Sequence, residues 1–255
     1  MAGAVHKRTL SNGVLVVEID NPPMNAMNGA MLALMSETFA GLVADTSVRA
    51  IVLTGRGRAF CSGADLKEVA RETHAGGGED LAGFGRMLDL VTASRAPVIA
   101  AINGACVGGG FELALCCDIR IAVTTAKFVC AGVNVGLMAS TYRLPRLIGL
   151  SRAKAMLLTG SAYSAAEAEA WGLVTAVHAS DALQDAALGL AARIASRAPL
   201  SVEASKRTAG HALDLSPEQA KAMVEQEMPK LRASDDHREA VQAFIDKRDP
   251  VFRRH

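Results

Sequence analysis

The 255-residue chain has almost no surplus of charge, with 27 Lys and Arg against 26 Asp and Glu. A formal charge of +1 excludes a general electrostatic pull toward nucleic acid or an anionic membrane and leaves room only for a local basic patch. Metal or disulfide spacing is lacking too. Cys61, Cys106, Cys116, Cys117 and Cys130 form no CxxC pair and no metal-type pattern with the six histidines. Thiols used as small hydrophobes in a reduced interior fit that spacing. The opening "MAGAVHKRTLSNGVLVVEID" has no long apolar core of a signal peptide and runs directly into a strand pattern, so the cytoplasm is the expected compartment. One uncharged run, residues 96–117, carries Glu112 alone as a charge. Asn103 and the cluster Gly108, Gly109 and Gly110 break it where a lipid-exposed helix would lose both propensity and satisfied backbone groups. A buried strand, a turn and a buried helix explain it better.

With half its residues hydrophobic, the chain can bury one large core or a core plus an appendage. Strand patterns fall at 14–19, 50–54, 98–102, 119–123 and 174–177, with longer helical patterns between several of them. That alternation predicts an α/β fold. Helices are expected over 28–43 and 80–94 and from Ser151, and Ser164-Ala165-Ala166-Glu167 reads as a capping box. From Asp181 onward strand signals vanish. Helices are expected to residue 197, after Pro199 and from Ser216-Pro217, so the last quarter reads as a helical appendage. There is no fixed-period repeat, and Gly76-Gly77-Gly78 reads as a mobile loop.

Two strand-to-helix turns rich in glycine carry the chemical signal. "RGRAFCSGADLKE" (56–68) follows "AIVLTG", and "AINGACVGGGFELA" (101–114) contains the end of a second strand. Each turn can present backbone N–H groups at a helix N-terminus, where orphan donors and the macrodipole favour a negative oxygen. Side by side they would form an oxyanion hole for the enolate-like charge of a polarised carbonyl. Glycine-rich turns after strands also arise from packing alone. The chain has no GxGxxG, GxxxxGK[ST] or GxSxG, which removes the usual cues for a dinucleotide site, a P-loop and an α/β-hydrolase nucleophile.

Together these turns resemble the crotonase, or enoyl-CoA hydratase/isomerase, superfamily. The resemblance runs from "NPPMNAMN" (21–28) through "GRAFCSGADLKE" and "APVIAAINGACVGGGFELALCCDIRIA" to "LPRLIGLSRAKAMLLTG" and "REAVQAFIDKRDPVF". It implies a spiral of ββα units over 1–195, a helical C-terminal region over 196–255 that builds a homotrimer or a dimer of trimers, and an acyl-CoA thioester as substrate. It implies no metal and no cofactor apart from the CoA of the substrate.

Carried over by position, the resemblance places the oxyanion donors on the N–H groups of Ala64 and Gly109, and CoA contacts on Ala64-Asp65-Leu66-Lys67. Lys67 also fits a solvated surface residue, and Asp65 a helix cap. Glu112 matches one of two glutamates that enoyl-CoA hydratases use. Its neighbours Phe111, Leu113, Ala114 and Leu115 would desolvate a carboxylate, although a buried Glu held by a backbone donor or an arginine has the same signature. The second glutamate is absent. In "AKFVCAGVNVGLMASTYRLPRLIG" its position falls on Gly132, and the following glycine-rich loop shrinks to Ala139-Ser140-Thr141.

Several reactions stay open on such a site. Glu112 alone activates water for hydration of a trans-2-enoyl-CoA, or a substitute such as Asn134, Ser140 or Tyr142 supports a dehydratase, lyase or decarboxylase reaction through the same enolate. Isomerisation is less favoured, and a non-catalytic acyl-CoA-binding protein is the remaining class. Asn134 and Ser140 also fit ordinary turn residues, and Tyr142 a packing or surface group. His74 is expected in a loop beside the pocket, and Lys247 and Arg248 fit either CoA phosphates or helix-end partners.

Overall fold

A computed structural model describes residues 3–74 and 81–255, with the side chains of 72–74 and 81–82 outside that description. The expected Gly76-Gly77-Gly78 loop therefore lies outside the described residues. Strands β1 (Ala4–Thr9), β2 (Val14–Asp20), β3 (Ala50–Gly55), β5 (Val98–Ile102), β7 (Ile119–Val123) and β10 (Ala176–His178) form one sheet in that order. Shorter strands β4 (Ala59–Cys61), β6 (Ala105–Val107), β8 (Lys127–Val129) and β9 (Ala162–Ser164) form a second. Among the described residues only β1 against β2 and β8 against β9 are antiparallel. "AIVLTG" and "VIAAI" are buried along their whole length, as strands covered on both faces of a parallel sheet must be.

From β3 to β8 successive strands alternate between the sheets. β3 leads to β4 and then to α2 (Leu66–His74) and α3 (Leu81–Thr92); β5 leads to β6 and α4 (Gly109–Cys116); β7 leads to β8 and a 3₁₀ turn over Ala131–Val135. The expected spiral of ββα units is thus present as topology, although no sequence period marks it. Reading short strands from sequence fails here because three residues give no periodicity. The strand expected over 174–177 is shifted to Ala176–His178, and the helix expected from Ser151 begins one residue earlier as α6 (Leu150–Thr159), after α5 (Arg143–Ile148).

Helix starts follow their caps. Asn28 accepts from Met31 N at 2.9 Å and opens α1 (Gly29–Gly41). Ser164 with Glu167 forms the capping box of α7 (Ala165–Ala170), and Ser216 with Gln219 forms that of α10 (Pro217–Ala233). α8 (Leu183–Ala195) covers β2, β3, β5 and β7, while α9 (Pro199–His211), α10 and α11 (Asp235–Asp246) follow. α9 is tied to the core by Glu203, which accepts from Arg95 Nη1 at 2.5 Å and from Arg254 Nε and Nη2 at 3.0 Å. Residues 247–255 return to the core: Asp236 accepts from the N–H groups of Arg253 and Arg254, and Arg49 Nη2 donates to Phe252 O at 2.6 Å. Arg248 bonds both carboxylate oxygens of Glu239, at 2.6 and 2.9 Å, which commits it to the tail. Among the described residues no helix is long and apolar enough to cross a membrane.

Candidate active site

β4 and β6 are parallel neighbours, so the turns at their C-terminal ends fall side by side. Closeness of the two turns depends on Gly63. Its φ is +84°, and a Cβ there would stand 2.5 Å from Gly109 N and 3.1 Å from Val107 O, both backbone atoms that cannot yield. Gly108 enters α4 at φ +53°, leaving the Gly109 N–H as the first of the helix's orphan donors. Ala64 forms an isolated parallel bridge with Met27, in which Met27 N donates to Gly63 O and Asp65 N to Met27 O. Such a bridge leaves the N–H of Ala64 on the opposite side, away from Met27. Only the second turn therefore offers a donor from a helix N-terminus; Ala64 precedes its helix by two residues. Below them Asn25 braces β4, its Nδ2 donating to the carbonyls of Arg56, Ala59 and Phe60.

Both turns open on a cavity of about 350 Å³ whose lining includes Ala64, Leu66, Gly109, Glu112, Gly132 and Phe84. Its walls are mostly apolar, and Phe84 of α3 packs its ring onto Gly109, where a Cβ would collide with it. Glu112 projects from the first turn of a helix buried from Gly110 to Cys116 and is itself 8% exposed. Its Oε1 accepts from Ser140 Oγ at 2.7 Å, and its Oε2 lies 3.8 Å from Arg143 Nη1. The same guanidinium lies 4.0 Å from Asp89 and 4.5 Å over the Tyr142 ring. Burial pushes the Cys130 thiol up to about 12, against a weaker opposing bond to Ser140, so beside the carboxylate stands a neutral thiol. Cys116 is likewise raised by burial. All five cysteines are buried and unpaired.

The other expected positions separate. Gly132 lines the cavity, but a Cβ there would meet Leu137 O at 3.0 Å and Ala139 N at 3.1 Å. Asn134 turns away from it, donating to Gly160 O at 3.0 Å, and Tyr142 is largely exposed against Arg143. Neither belongs to the described lining, because both side chains are occupied elsewhere. Ser140 does not line it either but sits directly behind Glu112. Asp65 caps α2, accepting from Lys67 N at 2.9 Å and Glu68 N at 3.4 Å, and Lys67 is exposed. His74 ends α2 rather than lying in a loop, and its side chain is outside the described residues.

Sequence reasoning missed Arg143 and Phe84. Phe84 and Leu88 were legible as an i, i+4 apolar pair on α3, and both line the cavity. Arg143 carried no signal, since its approach to Glu112 depends on the path of the loop before α5.

A family model described as enoyl-CoA hydratase/isomerase matches residues 9–255. The chain is 39% identical over 249 residues to (E)-benzylidenesuccinyl-CoA hydratase of Thauera aromatica, covering 96% of this chain and 97% of that protein. It is 34% identical to 2,3-dehydroadipyl-CoA hydratase of Escherichia coli, covering 94% and 95%. A crystal structure of an enoyl-CoA hydratase from Bacillus anthracis superposes with a TM-score of 0.93 at 31% identity, over 98% of this chain and 99% of that one.

Proposed function

The chain belongs to the enoyl-CoA hydratase/isomerase family, and from that premise we propose that it hydrates a trans-2-enoyl-CoA to the 3-hydroxyacyl-CoA with Glu112 as its one working carboxylate. It is a hydro-lyase of CoA thioesters. What carries the finer reading is the convergence of Ala64, Gly109 and Glu112 on one apolar cavity. The thioester oxygen accepts from the N–H groups of Ala64 and Gly109, which stabilise the charge it gains as an enolate. Glu112 takes a proton from water while the water oxygen bonds to the β-carbon, and the C=C electron pair moves onto the thioester. The proton on Glu112 then passes to the α-carbon, the enolate collapses and the carboxylate is restored. Every proton is supplied by the water, so the steps call for no metal and no cofactor.

Leu66 and the backbone of Ala64 and Gly109 are proposed substrate contacts; Asp65 serves the helix, and Lys67 remains free to meet a CoA phosphate. A homotrimer or dimer of trimers is supported by α11, where Phe244 is 86% and Ile245 64% exposed. Gly132 favours one second reading, an enolate reaction other than hydration that needs a single proton carrier. Loss of enoyl-thioester absorbance with crotonyl-CoA and a longer trans-2-enoyl-CoA tests both. Wild-type turnover that falls about 10²–10⁴-fold in Glu112→Gln, with KM nearly unchanged, supports hydration; no turnover on either thioester overturns it.

A further inference from the structure

Ser140 stands in the left-handed region at φ +60° and is 4% exposed. A serine held there costs about 1–2 kcal/mol that glycine would avoid, so the position persists only where its surroundings over-determine it. What serine adds over glycine is the hydroxyl, and that hydroxyl donates to Glu112 Oε1 at 2.7 Å. Its backbone is fixed as well, because Ser140 O accepts from Leu144 N at 3.2 Å at the start of α5. The Cys130 thiol, kept neutral by burial, also lies within hydrogen-bond reach of the Ser140 hydroxyl. Arg143, three residues along the same segment, faces the other carboxylate oxygen at 3.8 Å.

We infer that Ser140 is a positioning residue for Glu112: its hydroxyl pins Oε1, and with Arg143 it fixes the carboxylate so that Oε2 is the oxygen offered to water. The inference rests on the hydratase reading for its consequence. Where one carboxylate must both remove a proton and return it, any freedom of that carboxylate weakens both transfers. A hydroxyl anchored on the loop removes that freedom.

Ser140→Gly separates the hydroxyl from the fold, since glycine relaxes the backbone at this φ. The full chain is assayed with crotonyl-CoA beside Ser140→Ala, which removes the hydroxyl but keeps the left-handed strain. Expected for Ser140→Gly is a kcat lower by about 10–100-fold, KM within about threefold, and a melting temperature no lower than wild type. Ser140→Ala should lose kcat by a similar factor, since it lacks the hydroxyl while its backbone strain is that of the wild type. Wild-type kcat in either variant overturns the inference. A second readout needs no turnover: the Glu112 carboxyl ¹³C resonance at neutral pH, assigned through Glu112→Gln, should move in Ser140→Gly and in Ser140→Ala alike. If the wild type hydrates no enoyl thioester while this resonance behaves as expected, the hydratase reading fails and the anchoring stands; an unmoved resonance refutes the anchoring itself.

Discussion

Gly63→Ala puts the juxtaposition of the two glycine turns to the test. Two costs arise at this residue. An alanine at φ +84° sits in the left-handed region, worth about 1–2 kcal/mol. Its Cβ would also stand 2.5 Å from Gly109 N and 3.1 Å from Val107 O, and overpacking against backbone adds about 1–3 kcal/mol. Destabilisation of about 2–5 kcal/mol follows from the sum. The overlap also pushes the Gly109 N–H away from that of Ala64, and displacing one oxyanion donor lowers kcat about 10²–10³-fold. Gly57→Ala is the control: its φ is +75°, but nothing lies within 4 Å of the added Cβ. That variant should lose about 1–2 kcal/mol with turnover unchanged. Urea unfolding and crotonyl-CoA hydration of both proteins decide the matter. If Gly63→Ala is as stable as Gly57→Ala and turns over at the wild-type rate, the turns do not meet as described and the paired-donor site is refuted.

Glu203→Gln removes the charge that neutralises the largely buried Arg95 and should cost about 3 kcal/mol in urea unfolding. Burial works against the Glu203 carboxylate, but its bonds to Arg254 and Arg95 hold it below the ordinary carboxylate range; the wild-type contribution is therefore complete above that range and lost as pH falls below it, through the lowered folded value. A pH series of melting temperatures should accordingly show a steeper acid decline in wild type than in Glu203→Gln. Gly132→Glu should lower turnover rather than restore a second carboxylate, with a loss of about 1–3 kcal/mol, because its Cβ meets Leu137 O and Ala139 N; a gain in kcat would contradict that packing.

Continuous apolar strands and capped helices were legible because burial on both faces and end-capping each leave a local signature. "AIVLTG", "VIAAI" and Ser164 with Glu167 stand where the pattern places them, to within a residue or two. β4, β6 and β8 were not, since three residues carry no period and their pairing is fixed by strands about 20 to 45 positions away in sequence. The site divides the same way. Ala64, Gly109 and Glu112 belong to rigid strand-to-helix turns and meet in one cavity. The four positions at 132, 134, 140 and 142 lie on or beside a loop whose course no local rule dictates, and they separate into a wall, a turn bond, an anchor and an exposed ring.

That loop joins two facts which look independent in the sequence. Leu137 O and Ala139 N would stand only 3.0 and 3.1 Å from a Cβ at Gly132, so a side chain there requires the loop to give by a few tenths of an ångström. One residue beyond Ala139 the chain turns through the left-handed Ser140, and this turn delivers the hydroxyl to Glu112. A loop routed farther out would make room at 132 and withdraw the hydroxyl together. A side chain at 132 and the Ser140 hydroxyl thus depend on one backbone path, so a variant that forces the loop off Gly132 should also release Glu112 from Ser140.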